Sequence, residues 1–492
     1  MDKQLVMKIV KKICVVGAGT AGLISAIILK KRLNVDIDVV YSKNIGIIGV
    51  GEGSTEHWRD FMEFADIDHY EMVKETDATY KSGIMFNGWS DKSFLHSVGF
   101  PFDLKAGQYH HIYAHMIGNN IKPVSPTVFW NNEIDRSFLN DSNGFPANQF
   151  HFNTNKLNDY LTKKAKQMGI GFIEDDIEEV QIGNKGDISA LQGINGKYKY
   201  DFYIDCTGFR RLLINRLGAK WKSYKKYLKM KQAIVFQTGD EENYNFWTEA
   251  RAMDYGWMFR IPVWGRYGNG YIFDSDYITA DKAHTELNNL FGRELEIGKH
   301  ITFDPGALED VWIKNCCAIG LSANFVEPLE ASSIGTSIQQ SFLLMHKIQM
   351  YNEDVIKEYN ESVRSIMNNI RDFICLHYVT RKSNTDFWLD AGKTELPDSL
   401  QSNLKLWKNR LPINEDIRNL SDYALFRIPN FIMLMEGLEL FNRESIKKEY
   451  ESLSLHIRKN AEEIIIEHKM RELNVNTVKH KDFLQNIRKP FK

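Results

Sequence analysis

Residues 12–41, KICVVGAGTAGLISAIILKKRLNVDIDVVY, decide the fold. Residues 12–17 read as a short buried strand, 20–32 as a helix with Ala, Leu and Ile on its inner face, and 34–41 as an alternating second strand. Strand, glycine turn, helix, strand is the opening of a doubly wound α/β sheet. In that turn Gly17 allows the tight bend, and Gly19 lets backbone N–H groups approach a pyrophosphate at the helix N-terminus. Gly22 permits close contact between helix and sheet. Glycines of purely structural purpose give the same spacing. Position selects between the two readings: this turn follows a strand and opens a helix, and so reads as a dinucleotide-binding turn with Thr20 and Ala21 at the helix start. The acid that usually grips the ribose about twenty residues on is missing, because the second strand ends Val39-Val40-Tyr41-Ser42. Ser42 is the nearest polar candidate for the adenosine end.

Around this stretch the chain has an ordinary globular balance. It has 492 residues, 43% hydrophobic and 26% charged, so wholesale disorder is excluded. Lys+Arg 62 against Asp+Glu 64 leaves a net charge of −2, which gives no support to a phosphate-tracking nucleic-acid binder. Cys14, Cys206, Cys316, Cys317 and Cys375 show no CxxC spacing. Such an odd, sparse set fits a reducing cytoplasm and argues against a disulfide framework or a zinc knuckle. Residues 14–29 carry no charge and follow Lys3, Lys8, Lys11 and Lys12, as the apolar core of a signal peptide would. The segment is short for a membrane span, no Ala-x-Ala follows, and its glycines suit a phosphate turn. It reads as part of the folded body, and the expected location is cytoplasmic without membrane attachment.

Further along, 43–60 read as a glycine-rich loop running into a helix, and 94–150 as irregular loops and strands rich in Pro and Asn. A helix is expected near 153–168, and strands at 170–174, 187–194, 197–205, 231–238 and 256–274. Residues 311–322 read as a buried strand, the chain beyond about 333 as mostly helical, and 444–472 as one long amphipathic charged helix. No internal repeat or low-complexity linker breaks the chain.

Three further features carry chemistry. Gly49-Val50-Gly51-Glu52-Gly53-Ser54-Thr55 allows backbone to pass close to a ligand, or is a flexible surface loop with an exposed Glu. In Phe325-Val326-Glu327-Pro328-Leu329-Glu330-Ala331-Ser332-Ser333-Ile334, Ser332 or Ser333 can cap a helix that carries Ile334 inward. Free N–H groups there, with the helix dipole, make a small-anion site; the plainer alternative is a capped helix with well-placed acids. Lys81 sits among Tyr80, Phe86 and Trp89. Most lysines are solvated charges, but a desolvated one becomes reactive.

Taken together, these motifs resemble the flavin-dependent halogenases of the tryptophan-halogenase type over nearly the whole chain. The resemblance rests on GAGTAG, GVGEGS, the Lys81 segment, His151-Phe152 and Asp205-Cys206-Thr207-Gly208-Phe209-Arg210. It continues through Ile319-Gly320-Leu321-Ser322, FVEPLEASSI, His377-Tyr378 and Phe387-Trp388. The family's W-x-W-x-I-P signature reads Trp257-Met258-Phe259-Arg260-Ile261-Pro262 here, aromatic for aromatic at its second Trp.

The resemblance implies an α/β fold with an FAD-binding, doubly wound (Rossmann-like) domain, an inserted β-rich substrate region and a helical C-terminal part. Residues 1–360 would form the core, with insertions at about 85–150 and 225–300, and 361–492 a helical region covering the substrate. It implies that reduced FAD (FADH2) and O2 oxidise a bound halide (chloride, bromide or iodide) to hypohalous acid. Lys81 would meet that oxidant by hydrogen bonding or as a haloamine, and Glu330 would polarise it or accept the ring proton. The halide would rest on the N–H groups of Ser332 and Ser333, where the family has Thr and Gly. Flavin contacts fall on Ile177, Leu321 and Ile334, besides Gly51, Glu52, Gly53 and the first turn. No second dinucleotide loop is present for a nicotinamide, so a separate flavin reductase is the expected partner, and a homo-oligomer is the base-rate expectation. Two rivals share the fold: an FAD aromatic hydroxylase, which usually has Gly-Asp where this chain has Gly320-Leu321, and a non-catalytic carrier, which needs neither Lys81 nor Glu330. Tryptophan halogenases sandwich the indole with His-x-Phe; here the stretch is His96-Ser97-Val98. Where they grip the amino-acid zwitterion, this chain reads Ile428-Pro429-Asn430-Phe431-Ile432-Met433-Leu434-Met435, which is either an apolar substrate wall or ordinary helix core. The expected substrate is an electron-rich aromatic molecule other than free tryptophan.

Overall fold

The computed structural model describes residues 7–46, 52–97, 108–121, 130–139, 145–417 and 420–489. Gly51 and Val98 therefore lie outside the described residues.

The opening stretch forms strand Lys12–Val16, helix Thr20–Arg32 and strand Asp36–Tyr41. These strands join a six-stranded sheet in the order Gly171–Glu174, Asp36–Tyr41, Lys12–Val16, Phe202–Asp205, Cys316–Ala318 and Trp312–Ile313. All but the last pair in parallel, with Val15 flanked by Val39 and Ile204. Ile13, Cys14 and Val15 are fully buried, as a parallel sheet covered on both faces requires. Helix Thr20–Arg32 is buried from Gly22 to Leu29 and carries Lys30, Lys31 and Arg32 in its last turn, where the helix dipole favours them. It packs against helices Thr154–Gln167 and Ser332–Lys347, and Ser25 Oγ lies 2.8 Å from Ser341 Oγ.

A second, seven-stranded sheet runs Ile297–Thr302, Gln232–Thr238, Arg266–Phe273, Gly256–Val263, Thr248–Met253, Gly83–Asn87 and Phe94–Ser97. Within it the Phe259 ring lies across Gly270, where a Cβ would come within 2.4 Å of the ring. A third, small sheet joins Glu52–Gly53, Gln149–Phe152 and Thr79–Lys81, and puts His151 opposite both Gly53 and Thr79. It ties the glycine-rich loop to the lysine strand. The main hydrophobic core runs through the parallel sheet into the C-terminal helices; a smaller one lies under helix Ala280–Phe291.

Several expectations need correction. Residues 108–118, read as irregular, form a helix; its Tyr and His residues are poor helix formers, and packing on Arg443–Glu451 and Leu455–Leu473 holds it. The single strand expected at 311–322 is a short hairpin turned at Lys314 (φ 55°). The strand at 197–205 is interrupted where Tyr200 N donates to Tyr203 Oη. The long helix expected at 444–472 is two helices, separated at Ser452–Ser454, where Ser452 N closes back on Lys448 O. Helix Glu353–His377 runs through position 360. From the C-terminal helices the chain returns: Thr477–Lys479 pairs with Glu133–Asp135, and the fully buried His480 accepts a hydrogen bond from Tyr80 N, next to Lys81. Among the described residues no helix is long and apolar enough to cross a membrane.

Candidate active site

The C-terminal ends of the parallel strands open into a cavity of about 860 Å³, the place where open α/β sheets bind ligands. Gly17, Gly19, Thr20, Ala21, Ser42, Gly53, Ile177, Leu321 and Ile334 all line it. Gly17 (φ 111°) could not carry a side chain, since a Cβ would lie 2.4 Å from Cys206 O. Gly22 does not face the cavity; its Cα hydrogen abuts Gly17 O, the close contact assigned to it from the sequence. A Cβ on Gly19 would meet no protein atom and would project into the space it lines, so the cradle suits a dinucleotide backed onto the helix N-terminus. Sequence reasoning missed Asp176, which lines the cavity along with Ser42 and takes a 2.8 Å hydrogen bond from Asn44 Nδ2. An acid thus lines the cavity near Ser42, delivered from a neighbouring loop instead of the second strand.

Lys81 ends strand Thr79–Lys81 and is 1% exposed. Its Nζ donates to Ser54 O at 2.9 Å, and Ser54 is itself pinned to Phe150 through both its N–H and its Oγ. Burial lowers the Lys81 pKa to about 8, against the opposing pull of Glu330 and Glu56. Lys81 does not line the cavity; Gly53 stands between them. A Cβ on Gly53 would stand 3.5 Å from Lys81 Nζ and 3.3 Å from Ala331 Cβ. Burial, with Lys81 nearby, also drives the His151 pKa well below its ordinary value. His151 bridges Thr79 Oγ1 (3.1 Å) and Thr248 Oγ1 (2.8 Å) as a neutral ring. Phe86 and Trp89, which drew attention to Lys81, pack around His377.

Glu330 sits in a short turn before helix Ser332–Lys347, and both Glu330 (φ 66°) and Ala331 (φ 52°) are left-handed. Two consecutive non-glycine residues in that region are strained, and the bend sends the carboxylate inward, where it is 4% exposed. His96 Nδ1 lies 2.8 and 2.9 Å from its two oxygens, and His377 Nε2 lies 3.0 Å from Oε1. Burial alone would raise its pKa; the interactions with His96 and His377 reverse this and hold it at about 2. Three residues earlier, Glu327 is 2% exposed and accepts a 2.6 Å hydrogen bond from Tyr378 Oη. Burial pushes its pKa up to about 8.

The helix is not capped by Ser332 or Ser333, as expected from the sequence. Its N-cap is Ala331, without a side-chain cap, because the serines are already helical. Their carbonyls accept from Thr336 Oγ1 and Ser337 Oγ, and their amides head a helix whose first N–H groups have no helical acceptor. Ser333 lines the cavity; Ser332 is buried behind it. His96 is 1% exposed, with Glu330 at Nδ1, Asn430 at Nε2 and Phe373 near its ring. Of the run at 428–435, Ile428, Pro429, Phe431, Ile432, Leu434 and Met435 are buried in helix Ile428–Gly437, the helix-core alternative.

The arrangement joins a glycine-lined cavity, the amides of a helix N-terminus, a buried lysine and an ionised carboxylate. A family model described as tryptophan halogenase matches residues 12–450. The tryptophan 6-halogenase SttH of Streptomyces toxytricini is 30% identical over 454 residues, covering 82% of this chain and 85% of its own. Among solved structures, a tryptophan halogenase from Shewanella frigidimarina NCIMB 400 superposes with a TM-score of 0.88 at 25% identity, over 98% of both chains. The flavin-dependent halogenase Xcc4156 from Xanthomonas campestris does so with a TM-score of 0.82 at 28% identity, over 98% of this chain and 99% of its own. The chain belongs to the tryptophan halogenase family and is a flavin-dependent halogenase acting on an aromatic substrate.

Proposed function

We propose that Lys81 presents electrophilic halogen to an electron-rich arene and that Glu330 takes the ring proton. One observation carries this reading: a buried cation lies beside Gly53, which lines the cavity, with an ionised carboxylate close enough to act on its charge. The glycine cradle would hold FAD, which, supplied reduced by a separate reductase, would provide with O2 the oxidation of halide to hypohalous acid. The amides of Ser333 and Ser332 hold the halide at the helix N-terminus. As an ammonium, Lys81 donates a hydrogen bond to the oxidant and leaves the halogen end electrophilic. Ser54 O fixes the direction of Nζ. A carboxylate held at about 2 is a weak base, but a protonated arene is a strong acid, so Glu330 suffices. Thr20, Ser42 and Asp176 flank the dinucleotide, with Thr20 Oγ1 held by Asn158.

The substrate is an arene less polar or larger than free tryptophan. The apolar side chains at 428–435 point into the core, and the polar Asn430 is committed to His96 and to the Arg427 amide. That helix lines no part of the cavity, so the substrate reading rests on the sequence, where Val98 stands in place of the Phe of the tryptophan halogenases' His-x-Phe pair. A mass-spectrometric screen of phenols, anilines, indoles and tryptophan, with each halide and a flavin reductase, tests the reading. Bromide-dependent product on a panel arene supports it. A kcat/KM for tryptophan above every other arene, with one regioisomer, overturns the substrate assignment. Loss of halogenated product only in Glu327→Gln, and not in Glu330→Gln, overturns the assignment of the base.

A further inference from the structure

His377 and Asn430 have no part in the chemistry described so far, yet their hydrogen bonds determine where the protons around Glu330 lie. His377 Nδ1 is 2.9 Å from Phe373 O, and Nε2 is 3.0 Å from Glu330 Oε1. A carbonyl and a carboxylate only accept, so a ring between them donates from both nitrogens. His96 is different. Asn430 Oδ1 accepts from Arg427 N at 2.7 Å, which turns its amide nitrogen toward His96 Nε2 at 3.3 Å. An amide NH2 only donates, so His96 Nε2 is an acceptor, and the single ring proton sits on Nδ1, aimed at Glu330.

We propose that His377 is a positioning residue that stands as an imidazolium against Glu330, while Asn430 keeps His96 neutral. Glu330 is then balanced by one fixed charge and steered by one neutral donor, and Lys81 stays free to serve the oxidant. The groups facing Glu330 are Lys81 on strand Thr79–Lys81, His96 on Phe94–Ser97 and His377 on Glu353–His377, with Glu327 turned away to Tyr378. The proposal rests on the reading of Glu330 as the proton acceptor.

The test is nitrogen-15 NMR of the histidine rings in the full chain, assigned through His96→Gln and His377→Gln, followed by pH–rate profiles of halogenation. Wild type should show one ring protonated at both nitrogens, missing from His377→Gln, and a neutral Nδ1–H ring at His96. Asn430→Asp places an acceptor at Nε2 and should convert His96 to the doubly protonated form. His377→Gln keeps a donor but loses the charge. Without that counter-ion the Glu330 carboxyl shifts upward by about 1–3 units, so activity relative to wild type falls as pH drops from 8 to 4, by about tenfold at the upper end of that shift, with FAD affinity unchanged. Adding Asn430→Asp to His377→Gln restores a cation beside Glu330 and should flatten that fall. A neutral His377 ring overturns the proposal, as does a pH-independent loss in His377→Gln. If Glu330→Gln halogenates normally while the ring protonation is as stated, the proton-acceptor reading fails and the protonation assignment stands.

Discussion

Glu327 and Glu330 lie three residues apart in one turn and are held in opposite states. Glu330 is ionised at about 2 between two histidines, and Glu327 is pushed up to about 8 in an apolar shell with Tyr378. Consecutive residues at the end of one helix make the division: His377 grips Glu330 and Tyr378 grips Glu327. The side chains are identical, so the surroundings set their states, one an ionised carboxylate lining the cavity and the other a neutral buried acid. Left-handed backbone at Glu330 is what points the two carboxyls apart. The comparison makes predictions that differ in size.

The largest effect is expected from removing the cation that faces only one of the pair. Lys81→Ala should abolish halogenated product while FAD binding and oxidation of FADH2 continue, measured as peroxide release and product in parallel. Product at near wild-type rate would remove Lys81 from the chemistry. Next, Glu330→Gln should slow product formation by about 10²–10⁴-fold, the range for losing a general base, with flavin affinity kept. Glu327→Gln, the matched control, should change the rate little. A reversed order would mean that the two carboxyls had been assigned the wrong way round.

Much of this was legible in the sequence, and the limits have physical causes. Residues 12–41 carry a local, strongly patterned signal, and the observed elements begin and end within two residues of the expected ones. Lys81, Glu330 and the cradle residues could be named from ordered motifs. The histidine shell could not: His377 lies 47 positions from Glu330, and their meeting depends on two left-handed residues that propensity disfavours. The resemblance points His96 at the substrate, by matching it to the family's His-x-Phe pair, but that match does not show that its nitrogens go to Glu330 and Asn430. The serine cap failed for a related reason, since the same left-handed pair starts the helix one residue earlier than a serine cap needs.

A moderate effect is expected from pH acting on Lys81. Its ammonium titrates near about 8, whereas Glu330 at about 2 contributes no limb in the neutral range. If the ammonium is the working form, the halogenation rate, with reduced FAD in excess, falls as pH rises through about 8. A rate that instead rises through that value would show the neutral amine to be the reacting species, and the haloamine route to be the one used.

The smallest effect concerns Glu327 and appears in stability, not rate. Its carboxyl titrates at 4.5 when unfolded and at about 8 in the fold. Between those values the folded chain keeps a proton that the unfolded chain has released. The stability held by the neutral carboxyl is therefore complete below 4.5, declines as pH rises, and is lost by about 8. Gln cannot ionise and escapes that decline. Glu330 adds no slope there, because its contribution is lost only as pH falls through about 2. Lys81 is ionised in both states below its folded value of about 8, and its own stability term begins above that pH. Thermal melts of wild type and Glu327→Gln from pH 5 to pH 8 isolate the difference. The Tm of the variant relative to wild type should rise steadily across that range. A difference that stays constant with pH would mean that Glu327 is ionised in the fold, and the contrast between the two carboxyls would collapse.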